Sequence, residues 1–356
     1  IRPAHQYGNG IYKSSDAGKT WKHMGLDNSA RIGRIVVHPV DTNIVYAAVL
    51  GNTHAPQKDK GVYKTTDGGK TWNQVFFVNE YTGCNEIEID LNNPDILFAA
   101  MWQADIKTWG LKSGGEGSGI YRSTDAGKTW EPMNTRGIEF GKNHPVGKTS
   151  VCIAPSNSNV VYALIEDKEP RLYRTENGGQ SWTLVKKDHS MAQRAPYYTR
   201  VRVSTGSADE VYTICVNISK SKDGGKTWVK GEGSPWAMGG DCHDMWFDPK
   251  NPNRQMVAHD GGMNMSMNGG KSWQNINLPV AQMYHVAVDN MIPYHVFGNR
   301  QDGYSYRGPS NSRTGSITLS HWENCGGCES GFAQADPFQP NIICQAVMMV
   351  VWMSLT

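Results

Sequence analysis

Thr65-Thr-Asp-Gly-Gly-Lys-Thr-Trp72 is one of six octets in this chain with the form Ser/Thr-x-Asp/Asn-x-Gly-x-Thr/Ser-Trp. The others are Ser14 to Trp21 (SSDAGKTW), Ser123 to Trp130 (STDAGKTW), Thr175 to Trp182 (TENGGQSW), Ser221 to Trp228 (SKDGGKTW) and Ser266 to Trp273 (SMNGGKSW). Their acidic or amide positions, Asp16, Asp67, Asp125, Asn177, Asp223 and Asn268, recur about every 50 residues, a period that marks a repeat architecture. A chain of 356 residues has room for about seven such units.

Each octet has a local physical task. The Asp or Asn oxygen caps backbone N–H groups in a tight turn, and the Gly permits positive φ. An alternating apolar run precedes each octet, as in Gly61-Val-Tyr-Lys, and another follows it, as in Trp72-Asn-Gln-Val-Phe-Phe. The octet therefore reads as the turn between a third and a fourth strand, a structural element. A second repeat lies upstream: an alternating strand, a turn rich in Asp, Pro and Asn, then a nearly all-apolar strand. Its turns fall at His38, Asp90, Ala154, Ser204, Asp248, Asp289 and Asp336. Short strands at regular spacing, glycine-rich turns and the lack of a helical period predict an all-β fold, a β-propeller of about seven four-stranded blades with six octets, forming one domain over 1–356. The first octet follows only a dozen residues, so the opening unit is expected to lack its inner strands.

Composition narrows the function classes. The net charge of +2, from 35 basic and 33 acidic residues, leaves no electrostatic footprint for nucleic acid. No run reaches the ~18 apolar residues of a membrane-spanning helix. Seven Cys is an odd number, and Cys152 and Cys215 sit in apolar runs where buried thiols are expected, so no disulfide framework is read. The chain opens at Ile1 without a leader and reads as an internal piece of a longer precursor.

The octets resemble Asp-boxes, or bacterial neuraminidase repeats, found in sialidases, in xyloglucan-cleaving glycosidases and in sortilin-type receptors. The phrases Ile32-Gly-Arg-Ile-Val-Val-His-Pro, Gly239-Gly-Asp-Cys-His-Asp-Met-Trp-Phe-Asp-Pro and Gln282-Met-Tyr-His-Val-Ala-Val-Asp-Asn resemble large bacterial Asp-box proteins of the sortilin-like or glycosyl hydrolase kind. The resemblance runs to about residue 343. It implies a glycan-directed channel mouth, with a sortilin-like peptide-binding propeller as the alternative, and export to the periplasm, cell surface or medium. True sialidases carry an Arg-Ile-Pro element that this chain lacks, which ranks sialidase chemistry below other glycosidases.

Aligning the units on their turns puts Arg34, Glu86, Ser150, Arg200, Asp244, His285 and Phe332 at the start of the innermost strands, where they are expected to form a polar ring lining the channel. At the end of the second strand, two late units read Ala258-His259-Asp260-Gly261-Gly262-Met263 and Asn299-Arg300-Gln301-Asp302-Gly303-Tyr304, whereas Leu50 and Trp102 hold that place earlier. Asp260 resembles the Asp-x-Gly-Gly carboxylate of Asp-box glycosidases. Glycoside hydrolysis needs two carboxylates. The candidates are Asp260 and Asp302, with Asp244 and Glu329 behind them. Arg34, Glu86, Arg200, His243, His259, His285, Gln301, Arg307, Tyr198 and Trp236 are candidate ligand contacts, together with Asp241, Tyr197 and Tyr304.

The pattern calls for no metal. Cys325-Gly-Gly-Cys328 with Cys242 and His243 is a single CxxC without a second pair. Asp241, Asp244 and Asp260 supply oxygen ligands that would suit Ca²⁺. The tail Cys344-Gln-Ala-Val-Met-Met-Val-Val-Trp-Met-Ser has no polar turn. Read one frame over, the same bases can encode Gly-Gly-Asp-Asp-Gly-Gly-Met-Asp, close to His259-Asp-Gly-Gly-Met-Asn. A shifted reading of the native sequence is therefore expected after about residue 344.

Overall fold

The computed structural model describes residues 7–230, 240–276, 281–301, 303–326 and 331–345. Contacts divide the chain into two compact units, Ile1–His259 with Asn264–Gln274, and Asp260–Met263 with Asn275–Thr356. Among the described residues the regular structure is β-strand, with short 3-10 turns such as Met133–Arg136.

The first unit opens with a ribbon of Tyr12–Lys13 and Lys22–His23, followed by five antiparallel sheets. The first sheet runs Ile32–Val37, Val45–Val49, Gly61–Thr65, Asn73–Phe76. The second runs Thr82–Ile89, Leu97–Lys107, Gly119–Ser123, Glu131–Pro132, with Gly110–Ser113 added as a hairpin on the overlong second strand. The third is Thr149–Ile153, Val161–Ile165, Arg171–Thr175, Thr183–Lys187. The fourth is Arg200–Val203, Val211–Ile214, Ile218–Ser221, Val229–Lys230, and the fifth is Cys242–Phe247, Gln255–His259, Gly262–Ser266, Gln274–Ile276. The second unit contains a sixth sheet, Met283–Val288, His295–Arg300, Ser305–Pro309, Glu323–Gly326, and the pair Ala333–Ala335 with Ile343–Gln345.

All seven turns named from the sequence join a first strand to a second, and among the described residues the opening unit shows its outer ribbon alone. Each octet joins the last two strands of its sheet or ribbon. In the second octet, Asp67 Oδ1 accepts from the Thr71 and Lys70 amides at 2.9 Å, and Oδ2 from the Thr71 hydroxyl at 2.6 Å. Where the box carries Asn, the logic survives with a reversed donor: the Asn177 amide group donates to Ser181 Oγ at 2.8 Å. Thr hydroxyl and amide hydrogen bonds pull Asp16, Asp125 and Asp223 down to about 2.

The core of the first unit lies in apolar seams between neighbouring sheets. Phe98 and Ile120 of the second sheet pack with Val151, Ala163 and Tyr173 of the third, and the octet residue Trp182 meets the Phe98 ring edge-on at 6.1 Å. Complete burial of such a side chain contributes about 1.5–3 kcal/mol, which is why nearly continuous apolar second strands such as Val161–Ile165 sit between two sheets.

Candidate functional site

Five of the seven ring positions come together in the first unit. Three inner hairpins, those of the first, second and fifth sheets, slip register just before Arg34, Glu86 and Asp244. Such bulges re-aim the side chain that follows. The extra residue of the first bulge is Gly33, and an ideal Cβ there would lie 2.1 Å from the Asn85 carbonyl oxygen on the neighbouring inner strand. Asn85, in the second bulge, donates through Nδ2 to the Thr149 carbonyl at 3.1 Å. Close contact between successive inner strands therefore points the charged residues toward one another.

The result is an ion-paired web. Glu86, fully buried, accepts from Arg200 Nη1 at 2.7 Å, Arg202 Nη2 at 2.6 Å and Ser150 Oγ at 2.5 Å. Asp244 accepts from Arg34 Nη1 and Arg202 Nε, both at 2.9 Å. Burial would raise both carboxyls, but Arg202, Arg200 and Arg34 outweigh it and hold them below the usual carboxylate range. Glu88 is pushed the other way, because burial outweighs Arg34 at 3.7 Å and Arg202 at 4.0 Å. Beside Glu88 and Arg34 lies a small cavity of about 230 Å³ whose walls include Val36, Ile153 and Pro155. Asp244, a reserve catalytic carboxylate in the sequence reading, is thus ion-paired on two sides; that environment suits a fixed negative charge and opposes a proton donor.

Arg202 and Glu88 were missing from the sequence reading. Each stands two residues after a named ring position, and the period-2 alternation of a strand returns it to the same face. That spacing was the available signal.

The ends of the second strands hold further candidate positions. Matching the sheets on the turn hydrogen bonds aligns Leu50, Trp102, Glu166, Val216, Asp260 and Gln301. Leu50 and Trp102 are uncharged, but Glu166, absent from the sequence-based candidates, is a carboxylate at the same register in the third sheet. Glu166 Oε2 accepts from Ser113 Oγ and the Lys148 amide, both at 2.6 Å. The Lys148 side chain, two residues before Ser150 on the same strand face, donates to the Tyr197 carbonyl at 3.0 Å and stands 5.5 Å from the Trp102 ring centre. Burial, then the Arg200 charge, lowers its pKa to about 7.

The remaining candidates divide by unit. In the first, the Tyr198 ring meets His243 edge-on at 5.0 Å, Arg200 Nε donates to the His243 carbonyl at 3.1 Å, and Asp241 pairs with Arg194 at 2.9 Å. His259 ends its strand in a buried position; Asp260 with Gly261, which belong to the second unit, make the turn into Gly262–Ser266. In the second, His285 stacks on Phe332 at 3.8 Å, Arg307 pairs with Glu323 at 2.5 Å, and Gln301 and the exposed Tyr304 flank position 302. Asp302, Glu329, Trp236, Cys328 and the tail after Gln345 lie outside the described residues. Among the described residues no three His, Cys, Asp or Glu side chains gather at metal-binding distance.

Comparisons with known proteins agree with this architecture. The BNR-Asp box repeat family matches residues 11–24, and the BNR/Asp-box repeat family matches residues 121–132. A xyloglucanase from Paenibacillus sp is 25% identical over 210 residues, covering 49% of this chain and 19% of that protein. A vacuolar protein sorting/targeting protein 10 from Chaetomium globosum is 29% identical over 92 residues, 26% of this chain and 5% of that one. The chain therefore spans less than a quarter of the length of these relatives. Among solved structures, an ancestral GH74 enzyme superposes with a TM-score of 0.51 at 16% identity, over 88% of this chain and 43% of that one, a likeness of fold. An all-β chain of four-stranded antiparallel sheets that repeats the octet hydrogen bonds six times is a BNR/Asp-box repeat protein of the β-propeller kind, related to GH74 xyloglucanases and to Vps10/sortilin-like propellers.

Proposed function

We propose that this chain is a glycan-directed propeller protein of the glycoside hydrolase type, exported from a bacterial cell, with Asp260 and Asp302 as its working carboxylates and Glu329 behind them. The observation that carries the reading is the sequence relationship to xyloglucanases across half of the chain. The placement of Asp260 supports it: a carboxylate on a two-residue turn followed by glycines leaves backbone room for a bulky sugar. Exposed aromatic surface supports it too. Trp109 is 83% exposed at the tip of the hairpin that prolongs the second sheet, and Tyr197 is 41% exposed, giving flat faces of the kind on which sugar rings stack. The ion-paired web of Glu86, Arg202 and Asp244 takes no chemical role here and serves as a fixed scaffold.

The test is release of reducing sugar from a panel of β-glucans that includes xyloglucan, with the wild type and Asp260→Asn compared. Activity that falls by roughly a hundredfold or more in the variant supports the assignment. Activity that is present and unchanged removes Asp260 from the mechanism. Glycan binding without turnover in either protein leaves a lectin-like module. Binding of peptides and of no glycan would instead favour the reading suggested by the Vps10 relationship.

A further inference from the structure

Each of the first five octets is preceded by a basic residue: Lys13, Lys64, Arg122, Arg174 and Lys220. Four of them reach across to the turn of the next octet. Lys13 Nζ donates to the Gly68 carbonyl at 3.5 Å and Lys64 Nζ to the Ala126 carbonyl at 3.0 Å. Arg122 covers the next turn so closely that a Cβ on Gly179 would lie 3.2 Å from its Cδ. A Cβ on Gly224 would lie 2.9 Å from Arg174 Nη1, while Arg174 Nη2 binds Asp209 Oδ1 at 2.7 Å. In each case the cation fills the gap between neighbouring octets.

Lys220 breaks the series. Its Nζ turns back to Glu210 in its own sheet at 3.0 Å and lies 5.1 Å from the Tyr212 ring centre. Asn253 holds the place of Asp209 in the next sheet, as Asn43 and Asn159 do in two of the clasped gaps, so what sets Lys220 apart is its pairing with Glu210. A cleft of about 530 Å³ is left open, walled by Lys220, Lys222, Val229, Gly269, Gly270 and Lys271. Lys222 and Lys271 are exposed and have no hydrogen bond or ion pair among the described residues, and among those residues no carboxylate lines the cleft. Asp223, the nearest box carboxylate in sequence, is occupied by the Thr227 amide and hydroxyl at 2.9 and 2.6 Å.

We propose that this cleft between the fifth and sixth octets is an oxyanion site, where Lys222 and Lys271 hold a phosphate, sulfate or carboxylate group in the place that a clasping cation of the protein fills in the other four gaps. Two lysines on the wall of one concave space supply the donors for charge-assisted hydrogen bonds to such a group. The site is separate from the second-strand ends and stands whether or not the chain cleaves glycans.

The experiment titrates the protein with inorganic phosphate and, separately, with trigalacturonate at constant ionic strength, following binding by calorimetry. Saturable binding is expected, roughly tenfold weaker in K222Q/K271Q and unchanged in K142Q, an exposed lysine elsewhere on the first unit. Binding of phosphate alone assigns the cleft to a free anion, and binding of trigalacturonate assigns it to an acidic sugar on a glycan. The proposal is overturned if neither probe binds the wild type, if K222Q/K271Q binds as tightly as the wild type, or if K142Q loses as much as the double variant.

Discussion

Arg202 and Glu86, on inner strands more than a hundred residues apart in sequence, lie 2.6 Å apart with both side chains almost wholly buried. Arg202 also binds Asp244, so it holds two carboxylates from opposite neighbours in the web. A buried charge stripped of its partner is strongly unfavourable, whereas a pair replaced together by apolar groups is close to neutral. Arg202→Met is therefore expected to cost about 3–5 kcal/mol in urea denaturation. The double variant Arg202→Met/Glu86→Leu should recover part of that loss. A single-variant cost below about 1 kcal/mol would show that the web contributes little to the fold.

Lys148 sets the direction of a pH effect. Its folded pKa, about 7, lies below the ordinary lysine value, so between those two pH values the unfolded chain binds more protons than the folded one. Stability must then rise with pH through that window, by at most about 1.4 kcal/mol per pH unit from this group. Melting temperatures of Lys148→Met should be flatter than wild type between pH 7 and about 10. An equally steep rise in the variant would assign the effect elsewhere.

The octet carboxylates work in the opposite direction. Asp16, Asp125 and Asp223 are held near 2 by threonine hydroxyl and amide donors, below their unfolded values, so their contribution is present above about pH 4 and is lost as the pH falls toward 2. Asn177 and Asn268 show that an amide fits the same turn, donating to Ser181 and Ser272. Asp125→Asn is expected to fold and to lose less melting temperature between pH 4 and pH 2 than the wild type. A variant that fails to fold at neutral pH would show that the charge itself holds the turn.

The octets carried the fold into view because their hydrogen bonds are local: residues four apart satisfy one another, so a short string specifies its own turn. The seven inner turns were legible for the same reason, and they in turn placed Arg34, Glu86, Ser150, Arg200 and Asp244 at one register. Their pairing was not legible, because the partner of Glu86 comes from two sheets further along and depends on bulges at Gly33, Asn85 and His243 that no local pattern announces. Glu166 was within reach, since counting from the turn reaches it as readily as Asp260. It sits in an apolar strand end without the following glycines that made Asp260 conspicuous.

Gly33 tests whether the bulges position the web. It lies on the inner strand immediately before Arg34, and any side chain there meets the Asn85 backbone, which a rotamer change cannot move aside. Gly110 is a fair control, because it too is a strand residue and a Cβ there meets nothing within 4 Å. Overpacking against backbone costs about 1–3 kcal/mol, while a substitution into open space stays within about 0.5 kcal/mol. Gly33→Ala should therefore be destabilised by that larger amount, and the displaced inner strand should move Arg34 away from Asp244. The loss of that ion pair has its own readout: the Asp244 carboxyl, followed by NMR titration, should shift upward toward the ordinary aspartate value in Gly33→Ala and stay put in Gly110→Ala. Equal stability of the two variants, with the Asp244 titration unchanged in both, would show that the inner strands have room to separate and that the bulges do not aim the charges.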